Sequence, residues 1–296
     1  MKQFAIKIFV VFGLFLSYNI IIYIINLWFI NAAEFPEKNI LIIGDSQFKT
    51  GLNDEMFNSA WNIAQSAEPI PISYWKLKKI AEATKIDTIL ISISHQRLSF
   101  FNDSKFVRDK YKNEFFKRMY PLQIDFRNSN VKIDQFDYFK IVYQQMCLFP
   151  KSKHNTYIGE FSKSTNNNAS LKKPYDFSKL DSRISQHFFI NNKTPYEVSK
   201  VSLSYIDSII SFAKFRKITP VFIALPVHKT YLKRVPERIL KQFKSLALKF
   251  ETSGVDFLDY SDLKIADSLF LDYDHINKTG SKIMTKQIIK DLKINK

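Results

Sequence analysis

The run from Phe9 to Ile30, "FVVFGLFLSYNIIIYIINLWFI", constrains this chain more than any other stretch. It carries no charge, and its 22 residues, at ~1.5 Å rise each, extend roughly 33 Å as a helix, about the depth of a bilayer core. Ser17, Asn19 and Asn26 are polar exceptions that a spanning helix tolerates, and Trp28 sits near the far end, where aromatic rings favour the interface. The apolar part of a cleaved signal is usually about 7–15 residues long. An uncleaved anchor is therefore expected, although "NAAEF" offers small residues at a cleavage-like position. Lys2 and Lys7 precede the span, while Glu34 and Glu37 follow it. That asymmetry places the N-terminus in the cytoplasm and the rest of the chain outside.

The whole chain of 296 residues, with 46% hydrophobic content, can build a sizeable core. Only 6 glycines and 10 prolines exclude collagen-like and low-complexity classes. The single cysteine, Cys147, excludes an internal disulfide, and its apolar neighbours in "IVYQQMCLFP" mark it as a small buried hydrophobe. The net charge of +16 comes mostly from lysines scattered along the chain. Together with the many Ile, Asn and Phe they read as a compositional bias; no nucleic-acid motif accompanies them, so a nucleic-acid partner is not expected, although a membrane-proximal protein gains from attraction to anionic head groups.

Short apolar runs alternate with helical patterns. "NILIIGD" (39–45), "DTILISIS" (87–94), "TPVFIALPV" (219–227) and "VDFLDY" (255–260) read as strands, with a shorter candidate in "SAWNIAQSA" (59–67). Helices are expected at 74–85, with Trp75, Leu77, Ile80 and Ala81 on one side, at 202–217, at 236–254 closing on Gly254, and at 280–294. This order predicts an α/β sandwich around a parallel sheet. Residues 97–200 break the rhythm, are rich in Tyr, Phe, Lys and Asn, include the loop-like "KSTNNNASLKKP" (163–174), and read as an insertion. The expected division is a cytoplasmic stub and anchor over 1–35, then one extracytoplasmic domain over 36–296. In such sheets substrates bind beyond the carboxyl ends of the strands, and the insertion leaves from one of them.

Gly44-Asp45-Ser46 ends the first of these strands. Alone, the tripeptide is a weak signal and reads first as a capped turn, since Asp and Ser are ordinary N-cap residues and Gly an ordinary turn residue. A serine opening the next helix also directs its backbone N–H into the site, as an oxyanion donor would. A nucleophilic serine needs a base, and the base an orienting group. "SLFLDYDHINKTG" supplies Asp272 and His275 at i, i+3 just before the last helix. Of the other histidines, His154 and His187 lie in the insertion and are expected to be exposed, while His228 and His95 each follow a strand.

Gly-Asp-Ser near the start, with Asp-x-x-His-x-Asn and a following glycine near the end, resembles the SGNH (GDSL-type) hydrolase superfamily. With a single anchor, the chain is similar to its membrane-tethered branch, the relatives of DltD and of the alginate acetylation proteins AlgJ and AlgX. The resemblance implies a flavodoxin-like three-layer fold, Ser46 as nucleophile, His275 as base and Asp272 as its orienting carboxylate, with Asp274 as the competing carboxylate. It further implies oxyanion donors at the Ser46 N–H, at Ser66 or Ala67 where the family has glycine, and at Gln96, or His95, where it has asparagine. The last two places depart from the family pattern. No cofactor and no metal are implied. The tethered branch implies a bacterial cytoplasmic-membrane protein with its catalytic domain outside, acting on acyl esters of envelope glycans. A membrane acyl-donor protein is the partner that acyl transfer would require.

Two other readings compete with a serine esterase or acyltransferase. A degenerate oxyanion hole would leave a glycan-binding or scaffolding protein, with Tyr138, Phe139, Tyr143 and Tyr157 available to stack on sugars, although such rings more often pack an insertion onto its core. Metal-dependent hydrolysis through Asp45, Asp272, Asp274 and His275 is the third, weakened by the lack of any His-x-His or His-x-x-x-His spacing.

Overall fold

The computed structural model describes residues 1–124, 129–151, 170–172 and 174–293. In chain order the elements are α1 (Lys2–Asn31), β1 (Ile40–Ile43), α2 (Ser46–Gly51), β2 (Ala60–Asn62), α3 (Ile70–Ala83), β3 (Thr88–Ser92), α4 (Phe101–Ser104), α5 (Asp109–Met119), α6 (Gln135–Met146) and α7 (Phe177–Phe188). There follow β4 (Phe189–Ile190), β5 (Thr194–Pro195), α8 (Lys200–Arg216), β6 (Thr219–Ala224), α9 (Lys229–Leu232), α10 (Glu237–Thr252), β7 (Asp256–Asp259) and α11 (Lys278–Asp291). Two units are distinguished: Met1–Phe35 with the stretch from Phe106 to 151, and Pro36–Lys105 with the described residues from 170 onward.

The second unit is built on a parallel sheet of order β2-β1-β3-β6-β7. Residues alternate between its faces. Ile40, Ile42, Leu90, Val221 and Ile223 pack with Phe48 of α2 and Met284 and Ile288 of α11. The opposite face carries Leu41, Ile43, Ile89, Ile91 and Phe222, all buried, and Phe222 stacks on Phe250 of α10 with ring centroids 4.3 Å apart. Burial of both faces is why these strands read as continuous apolar runs rather than alternating ones.

Most element positions follow the sequence pattern. The helix expected from residue 74 starts at Ile70 instead, because Pro71 falls in the first turn, where a missing N–H is harmless. α10 ends at Thr252 and is closed, as expected, by Gly254, which has φ of +64°, with the Val255 N–H returning to the Phe250 carbonyl at 2.9 Å. His187 departs from expectation: it is buried, not exposed, with Nδ1 2.7 Å from the Tyr231 hydroxyl. The reason is a packed face on α7 formed by Leu180, Ile184, His187 and Phe188 at helical spacing. Of "KSTNNNASLKKP", only Ser170, Leu171, Lys172 and Pro174 are described; His154 and Tyr157 lie outside the described residues.

In the first unit, α1 is uninterrupted through the expected span. Asn26, polar in an apolar run, is fully buried. Its amide donates to the Met146 and Phe149 carbonyls, both at 2.9 Å, and its carbonyl accepts the Lys151 N–H at 2.7 Å. Tyr138 is buried against Phe116, while Phe139 and Tyr143 remain exposed. Cys147 is half-buried, and burial raises its thiol pKa.

Candidate active site

The site lies at the carboxyl ends of the strands and begins at Gly44, which has φ of +155°. A Cβ there would lie 2.3 Å from Ser92 Cβ, so only glycine lets the end of β1 pass β3 this closely. The chain then turns directly into α2. Asp45 caps that helix through Oδ1, which accepts the Gln47 N–H at 3.2 Å and the Ser92 hydroxyl at 3.0 Å. Its Oδ2 accepts the Gln96 amide at 3.0 Å. Asp45 therefore holds the turn, and its oxygens are committed to it.

Ser46 is the first residue of α2 and is half-buried. His275 Nε2 lies 2.8 Å from Ser46 Oγ. On the other side of the ring, His275 Nδ1 lies 2.9 Å and 3.1 Å from the two Asp272 oxygens. Asp272 Oδ1 also accepts the backbone N–H groups of Asp274 at 3.0 Å and His275 at 2.9 Å. One carboxylate thus shapes the loop and orients the ring. The loop is closed by the Leu271 N–H to the His275 carbonyl at 2.9 Å. The asparagine of the terminal motif, Asn277, caps α11 by accepting the N–H groups of Thr279 and Gly280. Gly280 packs so closely that a Cβ would stand 2.5 Å from the Leu269 carbonyl.

Two residues without a motif of their own complete the arrangement. Gln47, next to Ser46, donates its amide to the Asp274 carbonyl at 3.0 Å, joining the serine helix to the histidine loop. Arg183, on α7 within the insertion, places Nη2 3.3 Å from Asp272 Oδ2 and Nε 3.2 Å from Asp274 Oδ1. Asp274 is buried, held by the Arg183 ion pair, and stands 3.6 Å from His275 Nδ1. Asp272, not Asp274, is therefore the carboxylate hydrogen-bonded to the ring.

Electrostatics follow from this packing. Burial lowers the His275 pKa, but the charges of Asp274 and Asp272 outweigh it and the result is pushed up to about 9. Burial dominates at Asp274 and raises it to about 6. At Asp272 burial is overcome by His275 and Arg183, which hold it well below the usual carboxylate range. Asp272, Asp274 and His275 offer ligand atoms within 4.8 Å of one another. Arg183 and His275, whose pKa is raised, supply positive charge among these groups, and both His275 nitrogens face Ser46 or Asp272. The fourth residue of the metal reading, Asp45, is bound into the β1–α2 turn.

The remaining candidates are placed as follows. After β2 the chain runs on beside β1, with the Gln65 N–H donating to the Gly44 carbonyl at 3.0 Å. This brings the exposed Ser66 and Ala67 next to the turn that carries Ser46; Ala67 has φ of +59°. Gln96 is buried, and its amide nitrogen donates one N–H to Asp45 Oδ2. His95 is stacked on Phe243 with centroids 4.2 Å apart, and burial lowers its pKa to about 4. His228 is buried, caps α9 and reaches Asp267 at 3.2 Å.

No family model and no curated protein matches this chain. Among solved structures, it is similar to a candidate acylhydrolase of Bacteroides fragilis, at 11% identity over 88% of this chain and 91% of that one, with a TM-score of 0.44. A GDSL-like lipase of Bacteroides thetaiotaomicron shows 10% identity over 89% and 93%, with a TM-score of 0.43. A protein described as a candidate platelet activating factor from Streptococcus pneumonia shows 15% identity over 97% and 98%, with a TM-score of 0.41. Likeness at this level carries no argument about chemistry, which rests on the site itself.

Proposed function

We propose that this protein is a serine esterase or O-acyltransferase of the SGNH type, held at a membrane by α1 and working outside the cytoplasm on acyl esters of envelope glycans. The observation that carries the reading is the hydrogen-bonded line Ser46 Oγ–His275 Nε2 and His275 Nδ1–Asp272. The apolar length of α1 supports the anchor, and the motif resemblance to the tethered branch supports the glycan ester. In the proposed mechanism His275, neutral, takes the Ser46 proton as Oγ attacks the acyl carbonyl. The resulting imidazolium is stabilised by Asp272, with Asp274 and Arg183 setting the field around it. Collapse of the tetrahedral intermediate expels the alcohol, which receives the proton from His275, and leaves an acyl-Ser46. Water, or a sugar hydroxyl for transfer, then completes the cycle with the same proton traffic. The Ser46 N–H and the 66–67 loop are the proposed oxyanion donors. Expected is covalent labelling of Ser46 by a fluorophosphonate probe, located by peptide mass; folded protein that resists the probe would count against the reading.

The pH profile gives a second test. Because the reacting form needs neutral His275, kcat/KM on a soluble ester should rise with pH, its limb lying above the ordinary histidine value of about 6.5. Asp274→Asn removes a cause that raises His275 and should move the limb down. Arg183→Gln removes a cause that lowers it and should move the limb up. Shifts of both variants in the same direction would contradict this assignment.

A further inference from the structure

The helix pair cut out of the insertion shares a unit with the membrane helix, and its surface is unlike that of a soluble hairpin. On α6, Phe136, Phe139 and Tyr143 recur at i, i+3 and i+7, and they are 80%, 59% and 40% exposed. Phe149, just beyond the helix, is 69% exposed. Lys140 and Gln144 share the exposed side. Aromatic rings beside lysine are the composition of a helix lying in a membrane interface, where rings enter the acyl boundary and the lysine reaches the head groups.

The position of this surface along α1 matters more than its composition. The Tyr18 hydroxyl donates to the Leu148 carbonyl at 2.9 Å, and Asn26 binds Met146, Phe149 and Lys151. Tyr18 and Asn26 precede Ile30, the end of the apolar run, by 12 and 4 residues, or roughly 18 Å and 6 Å along a helix. The end of α6 therefore lies beside the span, not beyond it. Non-helical backbone is tolerated at such depth only when protein groups satisfy it. Here the carbonyls of 146, 148 and 149 and the N–H of 151 are satisfied by α1 side chains. The opposite side of α1, including Ile21, Ile24 and Trp28, stays exposed and apolar. An apolar groove of about 510 Å³ between the helices, lined by Tyr23, Leu27, Ile30, Val142 and Met146, continues the same surface.

We infer that α6 and the segment to Lys151 form a second membrane-contacting element, seated against α1 with Phe136, Phe139, Tyr143 and Phe149 facing lipid alongside the span. The occupant of the exposed aromatic face is bilayer lipid, as its continuity with the spanning helix indicates. Asn26 is then the latch that carries the element into the membrane, which accounts for a buried asparagine inside an apolar run.

The inference rests on α1 being a membrane anchor, and the test separates the two. Cys147→Ser provides a cysteine-free full chain, since Cys147 is the single cysteine. Single cysteines at Phe136, Phe139, Val11 and Leu248, all exposed positions, are labelled with an environment-sensitive fluorophore. The proteins are reconstituted into phosphatidylcholine–phosphatidylglycerol vesicles with and without a lipid carrying a spin quencher near the head group. Expected is fluorescence reduced by about half or more at 136 and 139, as for lipid-facing side chains, with quenching at 11 on the anchor and none at 248 on α10. Quenching at 11 with 136 and 139 behaving like 248 would overturn the inference and leave the anchor standing. No quenching at 11 would overturn the anchor and the inference with it.

Discussion

Ser46→Ala is expected to lower kcat/KM on an activated acyl ester by roughly 10⁴–10⁶-fold and to abolish fluorophosphonate labelling, as for removal of a triad nucleophile. The substitution is clean because Ser46 does not cap its helix. That task belongs to Asp45, and the Ser46 carbonyl still accepts the Thr50 hydroxyl. Thermal stability should therefore stay close to that of the parent. His275→Ala should cost about as much, and the double variant little more, because the two side chains act as one unit. Asp272→Asn should combine a slower reaction with a looser loop, since Asp272 also accepts the N–H groups of Asp274 and His275. Activity of Ser46→Ala within about tenfold of the parent would remove the covalent mechanism.

The residues legible in the sequence are those whose partners lie close along the chain. Asp272 and His275 are three apart, and the bond between them is a property of one loop. Ser46 was conspicuous because an apolar strand ran straight into Gly-Asp-Ser. Joining these pieces needed the motif resemblance, since 229 positions separate Ser46 from His275. Arg183 was not legible. It sits on α7 in a stretch without a motif, and only the fold brings it to Asp272 and Asp274. Gln47 was invisible for the same reason, as its partner is the backbone of Asp274. Gln96 stands between the two cases: its place after β3 is legible, whereas the bond of its amide to Asp45 is visible only in the fold. His187 escapes a sequence reading because the α7 pattern of Leu180, Ile184 and Phe188 lies inside an otherwise irregular insertion. The strands of the sheet were legible through burial on both faces. The α5–α6 pair was not, because α6 mixes buried Tyr138 and Ile141 with exposed aromatic residues, which blurs the contrast that marks an amphipathic helix in water.

Lys76→Met is expected to destabilise the unit that holds the sheet by about 3–5 kcal/mol, the range for breaking a buried ion pair from one side. Lys76 and Glu68 have side chains 1% and 0% exposed and meet at 2.5 Å. Lys76 Nζ also donates to the Ile63 carbonyl at 2.8 Å, and Glu68 Oε1 accepts the Ser73 hydroxyl at 2.6 Å. Arg97, equally buried, donates to Ser73 Oγ at 2.8 Å and to the Ser92 carbonyl at 2.5 Å. Removing Lys76 leaves the Glu68 carboxylate in the interior without the charge it directly contacts. Lys76→Met with Glu68→Leu removes both charges and should recover at least half of the loss, because the penalty comes mainly from the stranded charge. The measurement is the denaturant midpoint of the full chain in detergent, with an unchanged slope confirming the same transition. Equal destabilisation by the single and double variants would show that packing, not charge, fixes this region. The network also bears on the site. Ile63 and Glu68 bracket the loop that carries Ser66 and Ala67, and Gln65 within it is bonded to Gly44. Loosening the loop at Lys76 should therefore lower kcat more than the affinity for substrate, since oxyanion donors act chiefly in the transition state. If kcat is unchanged in the folded Lys76→Met protein, the 66–67 loop is not an oxyanion donor and the Ser46 N–H remains the sole candidate of the two proposed.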